Sequence, residues 1–149
     1  MKYVSLFAFL MLTAGAAFTG SQFMPGEWYA GLAKPAWTPP NWLFGPVWTV
    51  LYVMIAVAGW RVWLKQGFGT ALAVWGLALA FNALWSYLMF GAHSIDLALA
   101  DIVALLISIA AFIVLARGAD RPAALLFLPY LAWVGFATAL NFAIQRLNG

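Results

Sequence analysis

Polar side chains are so scarce in this chain that each one inside an apolar run is a candidate for chemistry. Asn82 stands in the middle of the run from Thr70 to Phe90, and Asp101 lies about one and a half turns into the run that opens at Ile95. Polar groups are costly in hydrocarbon, so they mark either a binding cavity or a bond to a neighbouring helix. Ala78, Trp85 and Met89 share the face of Asn82, whereas Gly76, Ala80 and Ala83 form a small-residue stripe roughly 130° round the helix. Such stripes let helices approach closely, within a bundle or across a dimer. Asn82 therefore either lines a cavity or bonds an adjacent helix. Asp101 either caps or pairs near the membrane edge, or belongs to a proton or ion path with Asp96 as its companion.

Aromatic side chains supply the second kind of candidate. Pro129, Trp133, Ala137 and Leu140 with Asn141 recur at helical spacing, as do Trp48, Tyr52 and Ala56. Most such stripes are packing, yet Ala137, one turn from Trp133, leaves space beside a flat ring. The stretch from Trp28 to Tyr52, WYAGLAKPAWTPPNWLFGPVWTVLY, carries Trp28, Tyr29, Trp37, Trp42, Phe44, Trp48 and Tyr52. Pro35, Pro39 and Pro40 keep its first half out of a regular helix, while Pro46 is tolerated in a first helical turn. A stiff ring-bearing loop beside a membrane makes an interfacial belt or a binding lid. Indoles and phenols stack well on a broad planar π-system, with Asn82 or an indole N–H to orient it. Lys34 either meets a ligand carboxylate at the cavity mouth or snorkels to water.

Other chemistry finds little support. One histidine and no cysteine make a dedicated metal site an unpromising reading, and they exclude disulfides and a thiol nucleophile. No Ser-His-Asp set, catalytic carboxylate pair or glycine-rich phosphate loop stands out. No cofactor is required on this reading. The poor supply of axial ligands favours a metal-free macrocycle, or a haem held without strong ligation. His93 reads as a solvated turn residue and Glu27 as an exposed loop charge.

The elements that must position these groups follow from composition. The chain has 149 residues, 66% of them hydrophobic and only 7% charged, with a mean hydropathy of +0.97. A soluble domain carries about 25% charged residues, so a lipid bilayer must be the solvent here. In a bilayer each span satisfies its own backbone, and apolar runs this long mean helices rather than barrel strands. The expected fold is an all-α integral membrane protein, a bundle of five transmembrane helices in a single domain over 1–149. The helices are placed at 3–23, 45–64, 70–90, 95–116 and 123–147, with a Trp/Pro-rich lid loop over 24–44 between the first two. The first run also has the form of a secretory signal, with Lys2, an apolar stretch and then Ala14–Ala17; it is expected to be kept as a helix. Five of the seven lysines and arginines (Lys2, Arg61, Lys65, Arg117, Arg121) fall on the N-terminal side of such a bundle. That bias predicts a cytoplasmic N-terminus in a bacterial inner membrane. The formal charge of +3 is spread too thinly for a nucleic-acid surface.

WYAGLAKPAWTPPNWLFGPVWTVLY, FNALWSYLMFG from Phe81 and PYLAWVGFATALN from Pro129 closely resemble the tryptophan-rich sensory protein/translocator protein family, the peripheral benzodiazepine receptor family. The likeness covers essentially the whole chain. It implies a five-helix bundle, commonly a homodimer, with a cavity closed by the first loop. Implied ligands are protoporphyrin IX and other haem-related tetrapyrroles, benzodiazepine-site drugs and, in animal members, cholesterol. The resemblance places Trp28, Tyr29, Trp37, Trp48, Tyr52, Asn82, Trp133, Ala137 and Leu140 in the ligand pocket, with Trp48 and Asn82 as polar contacts. It makes Tyr29 and Trp133 the candidate pair for light-dependent porphyrin breakdown, and Gly76, Ala80 and Ala83 a dimer face. The implied function is a porphyrin-binding receptor or carrier in tetrapyrrole or stress regulation or transport, with a porphyrin-degrading enzyme as the alternative. Two positions depart from the family pattern. Ala36 replaces a second tryptophan found in some bacterial relatives, and Phe142 stands where the sterol pattern wants a tyrosine before Arg146, so sterol binding is expected to be weak.

Overall fold

The computed structural model describes residues 2–149. Among the described residues five helical spans are long and apolar enough to cross a membrane, and there is no strand. The helices are α1 (Lys2–Ser21), a short α2 (Glu27–Ala30), α3 (Phe44–Gln66), α4 (Thr70–Ser86), α5 (Ile95–Ala119), α6 (Arg121–Leu126) and α7 (Leu128–Asn148). A 3₁₀ turn, Asn41–Leu43, leads into α3, and a π turn, Tyr87–Gly91, extends α4.

Helix α5 is the axis of the bundle. It packs against α4 on one side and α7 on the other, while α1 lies on α3 and α4, and α6 on α3 and α5. Ala98, Ile102, Leu105, Ile109, Phe112 and Ala116 recur at helical spacing on its buried side. Trp75, Phe127 and Tyr130 fill the core around them, and the Trp75 indole N–H donates to the Ile55 carbonyl at 2.9 Å. Outward faces carry Phe7, Val53, Ile107 and Val114, all more than half exposed, as a lipid-facing surface requires.

The ends of the spans differ from the sequence expectation for local reasons. α1 stops at Ser21 rather than 23, because Gln22 and Phe23 close back with i−3 bonds and Pro25 follows. The expected lid loop contains α2 and the 3₁₀ turn, so α3 starts one residue early and runs to Gln66. It ends at Gly67, whose φ of 68° and ψ of −147° suit only glycine. α5 runs three residues past 116 to Ala119. The fifth span is not one helix. Pro129 has no N–H to donate and clashes with the carbonyl four residues back, so the helix breaks at Phe127 into α6 and α7.

Asp120 fixes the turn between α5 and α6. Its carboxylate accepts the Ala123 N–H at 3.1 Å and a paired bond from Arg61 of α3, at 2.7 Å from Nε and 3.2 Å from Nη2. The Arg61 guanidinium holds the Asp120 carboxyl below its ordinary value, and the Ala123 N–H helps. A carboxyl lowered on folding adds stability above its unfolded pKa, about 3.9, and loses it as pH falls through the lower folded value. In detergent, wild-type stability should therefore drop below about pH 4, and Asp120→Asn, which can still cap, should show a smaller acid loss in thermal melts across pH 2–7. Packing is equally specific at Gly59, where an added Cβ would sit 2.5 Å from the Trp75 ring. Gly59→Ala should destabilise by about 1–3 kcal/mol in denaturant titration.

Candidate ligand cavity

A cavity of about 310 Å³ lies at the loop end of the bundle. Trp48 and Tyr52 reach it from α3, Asn82 and Trp85 from α4, Ile102 and Leu105 from α5, and Trp133, Val134 and Ala137 from α7. Phe90 of the π turn closes one wall, and Phe23, Met24, Pro25 and Phe44 border the loop side. Of the residues expected in a pocket, the structure brings together Trp48, Tyr52, Asn82, Trp133 and Ala137. Trp28, Tyr29, Trp37 and Leu140 lie outside its lining.

Asn82 lines the cavity and bonds its neighbours at once. Its carbonyl accepts the Tyr52 hydroxyl at 2.9 Å, and its amide donates to the Tyr130 oxygen at 2.7 Å. One side chain thus joins α3, α4 and α7. Trp85 is held in the same way, its indole N–H donating to Asn141 at 2.9 Å while Asn141 donates to the Ile95 carbonyl at 3.3 Å. The Trp133 N–H is the exception: it is buried and has no acceptor among the described residues. Phe44 meets the Trp133 ring edge-on at 5.9 Å, and Trp48 is tilted against Tyr52 at 5.5 Å. The walls are flat, apolar and sparsely polar, a shape and chemistry suited to a planar apolar guest. The cavity volume is at the small end for drug-sized ligands, about 300–1,000 Å³, so a macrocycle would project through an open side. A separate shallow groove between α3 and α7 shares Trp133 with the cavity.

The loop residues have their own packing. Tyr29 is buried in a second core with Met89, Ala98, Leu140 and Ile144, one ring behind the cavity wall, and meets Phe90 edge-on at 5.4 Å. Burial pushes the Tyr29 hydroxyl above its ordinary pKa. Trp28 stacks on His93 at 4.3 Å, so the exposed turn histidine has a ring partner. Trp37 packs edge-on against Phe136 at 5.5 Å. Lys34 pairs with no carboxylate among the described residues. It folds over the Tyr29 ring and donates to the carbonyls of Tyr29, Leu32 and Ala30 at 2.7, 3.1 and 3.3 Å. Asn148 clasps the loop by two bonds with Ala33, of 3.0 and 2.8 Å. At about 1 kcal/mol per hydrogen bond, this roof is latched at several points.

Asp101 departs from the expected capping or pairing role. Ser94 caps α5 by accepting the Leu97 N–H at 3.3 Å, which leaves Asp101 beyond the free amides of the first turn. It is 6% exposed, and neither oxygen has a partner among the described residues. On α4, Ala80 is exposed and Gly76 and Ala83 half-buried, and a Cβ added at Gly76 would meet nothing within 4 Å among the described residues.

Some lining residues were missed from sequence. Trp85 shares the Asn82 face and could have been included on that ground. Phe90 depends on the π turn, and Gly20 and Ser21 on how α1 docks, neither of which has a periodic signature.

With the cavity described, the comparisons are decisive. The sequence model of the TspO/MBR family matches residues 4–147. The protein belongs to the TspO/MBR family. Relatives include the tryptophan-rich sensory protein of Cereibacter sphaeroides, 40% identical over 99% of this chain and 94% of that protein. The tryptophan-rich protein TspO of Archaeoglobus fulgidus is 42% identical over 99% of each chain. The human translocator protein is 38% identical over 98% of this chain and 91% of its own. With five spans of sufficient length, this TspO/MBR member is an integral membrane protein.

Replacing Asn82 by alanine strands the fully buried Tyr130 oxygen. Hydrogen bonds within membrane bundles average about 0.6 kcal/mol, and an unsatisfied buried group costs about 1–3 kcal/mol. Asn82→Ala should therefore lower stability by about 1–2 kcal/mol, measured by unfolding in mixed detergent.

Proposed function

We propose that this protein binds porphyrins, protoporphyrin IX or a related tetrapyrrole, in the cavity beside Trp48, Asn82 and Trp133. It also takes flat drug-like ligands of the benzodiazepine-site kind there, and acts as a membrane receptor or carrier in tetrapyrrole or stress regulation. The observation that carries this reading is the flat-walled apolar chamber itself, lined by the rings of Trp48, Tyr52, Trp85 and Trp133 with Asn82 among them. On this reading the protein lies in a bacterial inner membrane with a cytoplasmic N-terminus, since the basic residues gather on that side. It forms a homodimer through the face of Gly76, Ala80 and Ala83, which α4 leaves partly open. Sterols bind weakly, because Phe142 lacks a phenol hydroxyl.

Light-dependent porphyrin breakdown by Tyr29 and Trp133 is the second reading, favoured by Trp133 lining the cavity. Binding is preferred because Tyr29 stands behind Phe90, away from the guest. The test is titration of the purified protein with protoporphyrin IX, followed by indole quenching. Trp48→Ala, which removes a wall, and Ala137→Phe, which fills the space beside Trp133, should each weaken binding about tenfold, or about 1.4 kcal/mol. Unchanged affinity in both, with the helical circular dichroism retained, would remove the cavity assignment.

A further inference from the structure

We infer that the ligand reaches the cavity sideways from the bilayer, through a mouth between the end of α1 and the start of α3, and not from water through the loop. This rests on the binding reading above. The cavity lining includes four residues that are also exposed: Ser21, Met24, Gly45 and Thr49. They mark an opening on that flank.

The chemistry of the rim suits hydrocarbon. The Ser21 hydroxyl donates to the Phe18 carbonyl at 2.6 Å, and the Thr49 hydroxyl to the Gly45 carbonyl at 2.8 Å. Each is satisfied within its own helix, so neither needs water or a partner across the gap. Met24 is apolar and 61% exposed, and Trp42, one turn before Gly45, is 72% exposed. A Cβ added at Gly45 would meet nothing within 4 Å among the described residues, so the mouth has room on that side. A planar molecule dissolved in the bilayer meets this rim directly, and the rim hydroxyls, bonded within their own helices, leave no free donor to desolvate.

The loop is tied down by comparison, by the Asn148 clasp on Ala33, the Lys34 bonds to three carbonyls and the Trp28–His93 stack. The lateral mouth needs none of these to break. A chamber open on its flank also accommodates a guest wider than itself, because the excess projects between α1 and α3 into lipid.

The test uses full-length protein in phosphatidylcholine vesicles, with protoporphyrin IX delivered from a second vesicle population and indole quenching followed by stopped flow. Gly45→Phe and Thr49→Trp narrow the mouth; Asn148→Ala releases the loop. Association should slow about tenfold in at least one narrowed variant without faster release, while Asn148→Ala stays within twofold of wild type in both rates. Unchanged rates in both narrowed variants, or faster association in Asn148→Ala, would overturn the lateral route while leaving binding intact. A narrowed variant that loses equilibrium affinity without slower association would equally overturn it. Wild-type protein that shows no quenching at any porphyrin concentration would overturn the binding reading and the route together.

Discussion

The bundle turns on the side chain of Asn82. In a bilayer interior no water is present to take up a stray donor or acceptor, so a polar group in the middle of a span is tolerated only with partners of its own. Asn82 has two, the hydroxyls of Tyr52 and Tyr130, on two other helices. The bond network fixes how α3 and α7 stand about α4 at one depth, and the cavity occupies the space between them. Trp48, Tyr52 and Trp133 line that space from the helices that the amide ties together or that flank it. The same residue that closes the structure therefore defines the chamber. This makes the two readings of Asn82 drawn from sequence, cavity wall and helix-to-helix bond, descriptions of one arrangement.

Much of this was legible in the amino-acid order. Five apolar runs separated by charged or glycine-rich turns define five spans, because the length of hydrocarbon to be crossed leaves little freedom. The aromatic positions at helical spacing on α3 and α7 could be read for the same reason, since a helix fixes which residues share a face. What periodicity does not fix is how a segment outside the helices folds back. Trp28, Tyr29 and Trp37 belong to the same ring-rich stretch as Trp48, yet they pack on His93, Phe90 and Phe136 and leave the cavity to others. Lys34 shows the point most clearly. A lone lysine in an aromatic loop suggests a ligand carboxylate or a water-seeking tail, whereas its bonds to three carbonyls from the end of α2 and its turn have no sequence signature.

Prolines were informative in different degrees. Pro25 ends α1 and Pro46 is accommodated in the first turn of α3, as their positions suggest. Pro129, which falls inside the helix expected over 123–147, instead splits the fifth span at Phe127. The break places Phe127 and Tyr130 in the core, their rings 5.2 Å apart and edge-on. The loss of backbone bonds at the break is tolerable because α3 and α5 cover α6 on its inner side.

Asp101 sets the azimuth of α5. Its carboxyl sits on the inner side among Ala98, Ile102 and Leu105, without a bonding partner among the described residues. Turning this helix about its own axis by a third of a revolution would carry the acid towards acyl chains, which costs free energy for a carboxyl in a span. The acid therefore acts as a rotational key, resisting any twist of α5 about its own axis while its neighbours remain free of that constraint.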